Sequence, residues 1–130
     1  MDKKILLIDD DRKMSALVKI QLEEHNYIVD AAYDGIEGGK LALKNNYDLI
    51  IMDVIMPGID GFELCKKIKN SVKSPILMVT SLDMIEDRVY GFTCGADDYL
   101  PKPFQFNDLT NRIYQLINRV NTPETIKIKL

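Results

Sequence analysis

The amino-acid sequence predicts an α/β fold in which a five-stranded parallel sheet is covered by helices on both faces. Three short apolar runs without alternation, residues 5–8, 49–52 and 76–79, have the length and composition of buried central strands. Segments with a helical spacing of apolar residues separate these runs. Strand and helix patterns alternate five times, which is typical of a parallel sheet with right-handed crossovers.

The two remaining strands are predicted from weaker patterns. Residues 27–32 are largely apolar but are interrupted by Asp30, and residues 98–100 form a still shorter run. Strands at the edge of a sheet are less completely buried than central ones. Both segments therefore suit edge positions.

Apolar stripes at helical spacing predict amphipathic helices between and after the strands. The stripes consist of Met14, Leu17, Val18 and Leu22 in the first helix, Leu64, Cys65 and Ile68 in the third, Ile85, Val89 and Phe92 in the fourth, and Phe106, Leu109, Ile113, Leu116, Ile117 and Val120 in the fifth. Three glycines weaken the second helix without excluding it. Asp34 with Glu37 and Asp83 with Glu86 predict the N-caps of the second and fourth helices.

The length of the chain favours one particular topology. A chain of 130 residues fits a single domain with a substantial core. Five strand-helix repeats at this length favour the flavodoxin-like, doubly wound (βα)5 fold with strand order 2-1-3-4-5, whose crevice opens between strands 1 and 3. We expect this domain to span residues 1–120.

Residues 121–130 carry a different pattern. Pro123 cannot continue the last helix, and residues 125–130 alternate between polar and apolar like a half-buried strand. Because a strand without a partner is unstable, we expect this segment to be a linker or the start of a further C-terminal domain that is missing from this chain. A floppy tail is the alternative.

Composition and charge argue against several classes of protein. The charged fraction of 28% and the hydrophobic fraction of 46% are ordinary for a globular domain. A net charge of -3 gives no reason to expect direct nucleic-acid binding, and no apolar run approaches the roughly 18 residues of a membrane span. Cys65 and Cys94 lack paired or metal-ligand spacing, and the N-terminus lacks a signal peptide. We therefore expect reduced thiols and a cytoplasmic location without membrane insertion.

Acidic residues follow strands 1 and 3 of the predicted sheet. Asp9, Asp10 and Asp11 come directly after the first strand, and Asp53 follows the third. In the strand order above these ends are neighbours about 5 Å apart, at the edge where such folds bind ligands. Crowded carboxylates call for raised pKa values or a cation, and oxygen ligands at a shallow edge suit Mg²⁺. N-capping of the first helix is the alternative for Asp11 but does not explain Asp53.

Two further polar residues follow strands at the same edge. Thr80 ends strand 4, and Lys102 follows strand 5. An isolated Thr at a strand end is usually structural, and an isolated Lys is usually a solvated surface charge. Because four strand ends deliver polar groups to one edge, we interpret these residues as parts of one site.

The motifs around these residues resemble the signature of the receiver domains of two-component response regulators. The matching motifs are Asp9-Asp10, Asp53-x-x-Met56-Pro57-x-x-Asp60-Gly61, Thr80 and Gly95-Ala96-Asp97-Asp98-Tyr99-x-x-Lys102-Pro103-Phe104. Each motif alone is weak, but together, in order and at the right strand ends, they are highly specific. The resemblance covers residues 4 to about 120.

The resemblance implies a signalling switch rather than an enzyme, although the domain takes part in its own phosphoryl transfer and autodephosphorylation. Asp53 would attack a phosphohistidine on a sensor histidine kinase. Mg²⁺, which Mn²⁺ can replace, would be held by Asp10, Asp53 and the main-chain carbonyl of Ile55, with Asp9 reaching it through water. Lys102 would bind a phosphoryl oxygen as a compact cation, and the hydroxyl of Thr80 would hydrogen-bond the new phosphoryl group.

The same resemblance implies a switch formed by Thr80 and Tyr99. Movement of Thr80 toward phosphate would open space into which Tyr99 turns, so that phosphorylation is transmitted to the face of helix 4, strand 5 and helix 5. An edge-strand tyrosine with its hydroxyl in water is the alternative for Tyr99. Cis peptide bonds occur almost only before proline, which makes the Lys102-Pro103 bond a candidate for a cis peptide.

Charged residues on that face resemble the dimer face of OmpR/PhoB-type regulators. Across a two-fold interface, the resemblance implies the pairs Arg88 with Asp108, Asp98 with Arg112, and Asp97 with Arg119. The alternative is a solvated charged surface. Homodimerisation on phosphorylation follows as an expectation, and contact with DNA would come only through a C-terminal domain missing here. A stand-alone receiver or phosphorelay intermediate without DNA-binding output is the alternative.

Two other classes of protein fit the sequence less well. Aspartyl-phosphate phosphatases generally carry a second Asp two residues after the first, and that position is Ile55 here. A nucleotide-binding module needs a Gly-rich loop after strand 1, where this chain has three carboxylates that would repel a phosphate.

Overall fold

A computed structural model of the chain describes residues 2–119. The elements are β1 (Lys3–Ile8), α1 (Arg12–Glu24), β2 (Tyr27–Ala32), α2 (Gly35–Lys44), β3 (Leu49–Met52), α3 (Gly61–Ile68), β4 (Ile76–Thr80), α4 (Ile85–Cys94), β5 (Asp98–Pro101) and α5 (Phe106–Ile117). The interpretation of residues 121–130 as a linker or a new domain, and the place of Val120 in the last stripe, lie outside the described residues.

The five strands form one parallel sheet in the order β2-β1-β3-β4-β5. This order confirms the predicted topology, and β2 and β5 lie at the two edges as expected. Among the described residues, no helix is both long and apolar enough to cross a membrane.

Two hydrophobic layers cover the two faces of the sheet. Alternate strand residues such as Leu6 and Ile50 point into one layer, which α2, α3 and α4 cover, whereas Ile5 and Leu49 point into the other, which α1 and α5 cover. All of these strand residues are fully buried. Burial on both faces explains why the central strands are apolar without alternation.

Aspartate side chains cap three of the helices. The main-chain N–H of Met14 donates to Asp11, at 3.0 Å, and that of Glu37 donates to Asp34, at 2.7 Å, so the proposed capping role of Asp11 and the predicted N-cap Asp34 are confirmed. Asp60 caps α3 in the same way.

The predicted N-cap of α4 is wrong by one residue. The cap is Met84, whose N–H donates to the Asp87 carboxylate at 3.2 Å. The Asp83 side chain instead pairs with the Arg88 guanidinium. Asp87, three residues into the helix, therefore accepts from the N–H of the cap residue, and Asp83 contacts Arg88 instead.

The apolar stripe predicted for α4 faces outward rather than toward the sheet. The side chains of Ile85, Val89 and Phe92 are 75%, 59% and 49% exposed. The buried residues of this helix are Gly91 and Cys94. Small residues occupy the inner face because α4 approaches the sheet closely at this point, and the larger apolar side chains are left on the surface.

Candidate functional site

The site lies at the carboxyl ends of β1 and β3. Ile8 and Met52, the last residues of these strands, are partners in the parallel register. Each strand is followed by an aspartate, and the N–H of Asp53 donates to the carbonyl of Ile8 at 3.0 Å. The register therefore places Asp9 and Asp53 side by side at the carboxyl edge of the sheet.

Three carboxylates meet at this edge. Oxygen atoms of Asp9, Asp10 and Asp53 lie within 4.8 Å of one another. Asp9 and Asp53 are buried, at 2% and 8% exposure, whereas Asp10 is exposed. A set of oxygen donors that is partly buried and open on one side is the type of site that suits Mg²⁺.

The carboxylate of Asp53 is held by its own loop. Its Oδ1 accepts hydrogen bonds from the N–H groups of Val54, at 2.6 Å, and of Ile55, at 3.4 Å. Its Oδ2 faces Lys102. The loop therefore fixes the orientation of the carboxylate while one oxygen remains directed at the other site residues.

Lys102 bridges the two buried carboxylates. Its Nζ lies 2.8 Å from Asp9 Oδ2 and 3.1 Å from Asp53 Oδ2. Burial alone would lower the pKa of Lys102, but its hydrogen bond to Asp9 and the nearby charges raise the pKa above its ordinary value. Burial raises the pKa of Asp9, and the hydrogen bond from Lys102 offsets part of that rise.

Thr80 is joined to Lys102 through the main chain. The N–H of Lys102 donates to the carbonyl of Thr80 at 2.8 Å. The Thr80 side chain is fully buried, and its Oγ1 accepts a long hydrogen bond, 3.4 Å, from the N–H of Leu82. The peptide bond between Lys102 and Pro103 is cis, as the sequence led us to expect.

Gly61 is a functional neighbour whose role the sequence reasoning did not identify. The N–H of Gly61 donates to the carbonyl of Val54 at 2.8 Å. A Cβ at this residue would overlap the main-chain oxygen of Asp53. The start of α3 therefore approaches the Asp53 loop so closely that only glycine fits, and the spacing of Asp60-Gly61 after Asp53 was the available signal.

Comparison with known proteins gives this site a family. The family model for the response regulator receiver domain matches residues 5–114. The chain belongs to this family. The match includes Asp9, Asp10, Asp53, Thr80 and Lys102, the residues that the structure brings to one edge of the sheet.

Two curated regulators resemble this receiver domain over nearly its whole length. The response regulator ArlR of Staphylococcus saprophyticus is 39% identical over 126 residues, which cover 97% of this chain and 57% of ArlR. The DNA-binding dual master transcriptional regulator RpaA of Synechocystis is 42% identical over 121 residues, which cover 91% of this chain and 50% of RpaA. The similarity to ArlR supports the OmpR/PhoB-type subfamily. The receiver domain spans about half the length of these relatives.

A solved structure shares the fold of this receiver domain. The receiver domain of the sensor histidine kinase PA1611 from Pseudomonas aeruginosa superposes with a TM-score of 0.81 at 28% identity. The superposition covers 90% of this chain and 98% of that one. That structure has a magnesium ion coordinated in its active site cleft.

Tyr99 of this receiver domain is turned inward. Its side chain is 3% exposed, and its hydroxyl donates to the carbonyl of Leu82 at 2.7 Å. Burial raises the pKa of Tyr99 to about 12. The alternative of a hydroxyl in water is therefore wrong, because the ring occupies the inward position.

The charged face of the receiver domain is paired within the subunit. Arg112 contacts Asp98 at 2.8 Å, and Arg119 contacts Asp97 at 3.2 Å. Arg88 pairs with Asp83 rather than with an acid of α5, and Asp108 lies exposed in the first turn of α5. The predicted pairs between subunits would have to replace these contacts, and they stay predictions.

Asp97 has a second role that the sequence reasoning missed. Its carboxylate accepts a hydrogen bond from the N–H of Ile76 at 2.8 Å and contacts Lys69 Nζ at 3.2 Å. The residue therefore ties the start of β4 and the end of α3 to the loop before β5. Its position directly before the last strand carried no signal for this contact.

Proposed function

We propose that Asp53 accepts a phosphoryl group from a phosphohistidine of a sensor histidine kinase in a Mg²⁺-dependent reaction. The observation that carries the proposal is the cluster formed by Asp9, Asp10 and Asp53 with Lys102 bridging two of its carboxylates. Phosphoryl transfer requires chiefly alignment and charge neutralisation, and this cluster offers both a nucleophile and a fixed cation.

The metal site of the proposal uses oxygen ligands from the two strand ends. Asp10, Asp53 and the main-chain carbonyl of Ile55 would bind Mg²⁺, or Mn²⁺ in its place, and Asp9 would reach it through water. The fit rests on carboxylate oxygens that lie within 4.8 Å of one another and on the magnesium ion in the related receiver of PA1611. The ion would supply positive charge to the phosphoryl oxygens and relieve the repulsion between the carboxylates.

Each residue of the site would have its own role in the phosphoryl transfer. A carboxylate oxygen of Asp53 forms a bond to phosphorus while the phosphorus–nitrogen bond of the phosphohistidine breaks and its electron pair stays on the imidazole. The N–H groups of Val54 and Ile55 hold the nucleophile. Lys102 releases Asp53 and binds a phosphoryl oxygen, and the Thr80 hydroxyl donates to another.

Dimerisation through the face of α4, β5 and α5 would follow phosphorylation. The exposed Ile85, Val89 and Phe92 support this proposal, because adjacent exposed apolar side chains on one helix favour an interface. The charged residues of this face are paired within the subunit. Replacing these ion pairs by ion pairs between subunits would fix the register of the dimer more than it would raise its affinity.

The whole protein would be a cytoplasmic transcriptional regulator. ArlR and RpaA are named as a response regulator and a DNA-binding transcriptional regulator, and each is about twice as long as this chain. DNA binding would then belong to the part of such a regulator that this chain does not match in ArlR and RpaA. The receiver domain itself would act as a switch that takes part in its own phosphorylation and dephosphorylation.

A mass measurement tests the central step. Incubation with acetyl phosphate and Mg²⁺ should add one phosphoryl group to the intact protein, and alkali should remove it. Asp53→Asn should abolish the adduct, whereas Asp60→Asn, which keeps a residue able to cap α3, should retain it. An adduct that forms on Asp53→Asn to the same extent, or an unmodified wild type, would overturn the proposal.

A further inference from the structure

The inner face of α4 has no side chain where it crosses the end of the sheet. Gly91 is buried at this point. A Cβ built on Gly91 would lie 3.1 Å from the sulfur of Met78 and 3.1 Å from both Cδ2 and Cε2 of Tyr99. Carbon atoms in packed interiors are about 3.5–4.0 Å apart, so a methyl group here would require its neighbours to move.

Both neighbours are buried. Met78 is fully buried, and Tyr99 is its partner in the register of β4 and β5. The ring of Tyr99 is 3% exposed and is held at its far end by the 2.7 Å hydrogen bond from its hydroxyl to the carbonyl of Leu82. A side chain at residue 91 would therefore press on a ring that is fixed at two ends.

The inward ring is connected to the proposed phosphorylation site through a single residue. Leu82 lies in the loop between β4 and α4, and its carbonyl accepts the hydroxyl of Tyr99. The N–H of the same residue donates to Thr80 Oγ1 at 3.4 Å. The position of the Tyr99 ring and the conformation of the loop after Thr80 are thus coupled through the two main-chain groups of one residue, Leu82.

We propose that Gly91 is a positioning residue of the switch: the missing side chain admits the Tyr99 ring beneath α4, and the ring in turn holds the loop after Thr80 through Leu82. The signalling consequence rests on the proposed function.

A cycle of variants tests the packing claim without any phosphorylation. Alanine favours helix over glycine, so Gly91→Ala without a clash should raise the midpoint of thermal unfolding. We expect Gly91→Ala to lower that midpoint in the wild type and to raise it in Tyr99→Ala, or in Tyr99→Leu if the alanine variant does not fold. Thr93→Ala, on the exposed face of the same helix, should shift both backgrounds equally. An equal shift for Gly91→Ala in both backgrounds would overturn the inference.

A second measurement follows the ring itself. In protein with ring-¹³C-labelled tyrosine, the Tyr99 signal is assigned by its loss in Tyr99→Phe, and a gadolinium chelate in solution broadens only exposed rings. We expect the Tyr99 signal to be protected in the wild type and in Thr93→Ala, and to lose its protection in Gly91→Ala. A protected signal in Gly91→Ala would refute the positioning role.

The functional consequence is measured separately. With beryllofluoride and Mg²⁺, Gly91→Ala should dimerise less than the wild type in sedimentation, although acetyl phosphate should still modify its Asp53. Unchanged dimerisation in a variant whose Tyr99 is exposed would refute the link to signalling. If instead the wild type takes up no phosphoryl group while the unfolding cycle shows coupling, the proposed function fails and the packing role of Gly91 stands.

Discussion

Replacement of Lys102 by methionine should destabilise the receiver domain unless Mg²⁺ is present. Lys102 Nζ lies 2.8 Å and 3.1 Å from two buried carboxylates, and its own side chain is 19% exposed. At an effective dielectric constant of about 20, each attraction is about 5–6 kcal/mol. Much of this is offset by the cost of burying the charges, and breaking a buried pair typically costs about 3–5 kcal/mol.

Because Lys102 keeps some contact with water, we expect a loss near the lower limit, about 3 kcal/mol. In a domain of this size, a loss of 1 kcal/mol in the free energy of unfolding lowers the midpoint of thermal unfolding by about 4 °C. In EDTA, Lys102→Met should therefore unfold about 12 °C below the wild type. Mg²⁺ at a hundred times its dissociation constant adds about 2.7 kcal/mol, which should restore most of the loss. The wild type should gain less, because the ammonium group competes with the ion for the same carboxylates.

The assay is thermal unfolding followed by circular dichroism, in EDTA and in saturating Mg²⁺. Lys67→Met is the matched control, since Lys67 is an exposed lysine of α3 away from the carboxylates. Its midpoint should follow that of the wild type in both buffers. Unfolding of Lys102→Met at the wild-type temperature in EDTA, or an equal rise of both midpoints in Mg²⁺, would refute the bridging role of Lys102.

Three further predictions follow from other contacts. With beryllofluoride, Phe92→Ser should prevent dimerisation in sedimentation. Arg112→Ala should weaken dimerisation by at most about fivefold, because an ion pair that is partly open to solvent contributes no more than about 1 kcal/mol. The reverse order would contradict an apolar interface. Burial raises the pKa of the Cys65 thiol to about 11, so the thiol stays protonated at pH 8. Cys65 should therefore react with Ellman's reagent only when the protein unfolds. Reaction of Cys65 in the folded protein would contradict its burial. The methyl group of Gly61→Ala would overlap the main chain of Asp53. This variant should lower the free energy of unfolding by about 1–3 kcal/mol, measured by chemical denaturation, and should slow modification by acetyl phosphate, measured by intact mass. Wild-type values in both measurements would refute the close approach.

The strand ends show how far the sequence predicts the candidate site. Unbroken apolar runs identify the central strands because both faces of a parallel sheet are covered. Once the strand order is chosen, Asp9 and Asp53 must follow neighbouring strands, and the register of Ile8 with Met52 bears this out. The position of the acidic cluster was therefore predictable from local pattern together with one rule of topology.

Helix α4 shows where such reasoning fails. Its periodic stripe of Ile85, Val89 and Phe92 predicts that apolar side chains share one side of the helix, and the structure exposes that side. Periodicity reports that apolar residues share one side of a helix, but not whether that side meets the sheet or the solvent. The close approach of α4 to Met78 and Tyr99 decides the matter, because a Cβ at Gly91 would lie only 3.1 Å from atoms of each.

The sequence by itself determined the alternation of elements, the parallel sheet and the identity of the carboxylates at its edge, because these depend on short-range patterns and on the ends of strands. Only the tertiary structure decided that Tyr99 lies inward on the carbonyl of Leu82, that Lys102 spans two carboxylates, and that Arg112 pairs within its own subunit. These contacts join residues distant in sequence, and their geometry is set by how closely the helices approach the sheet, which no local pattern encodes.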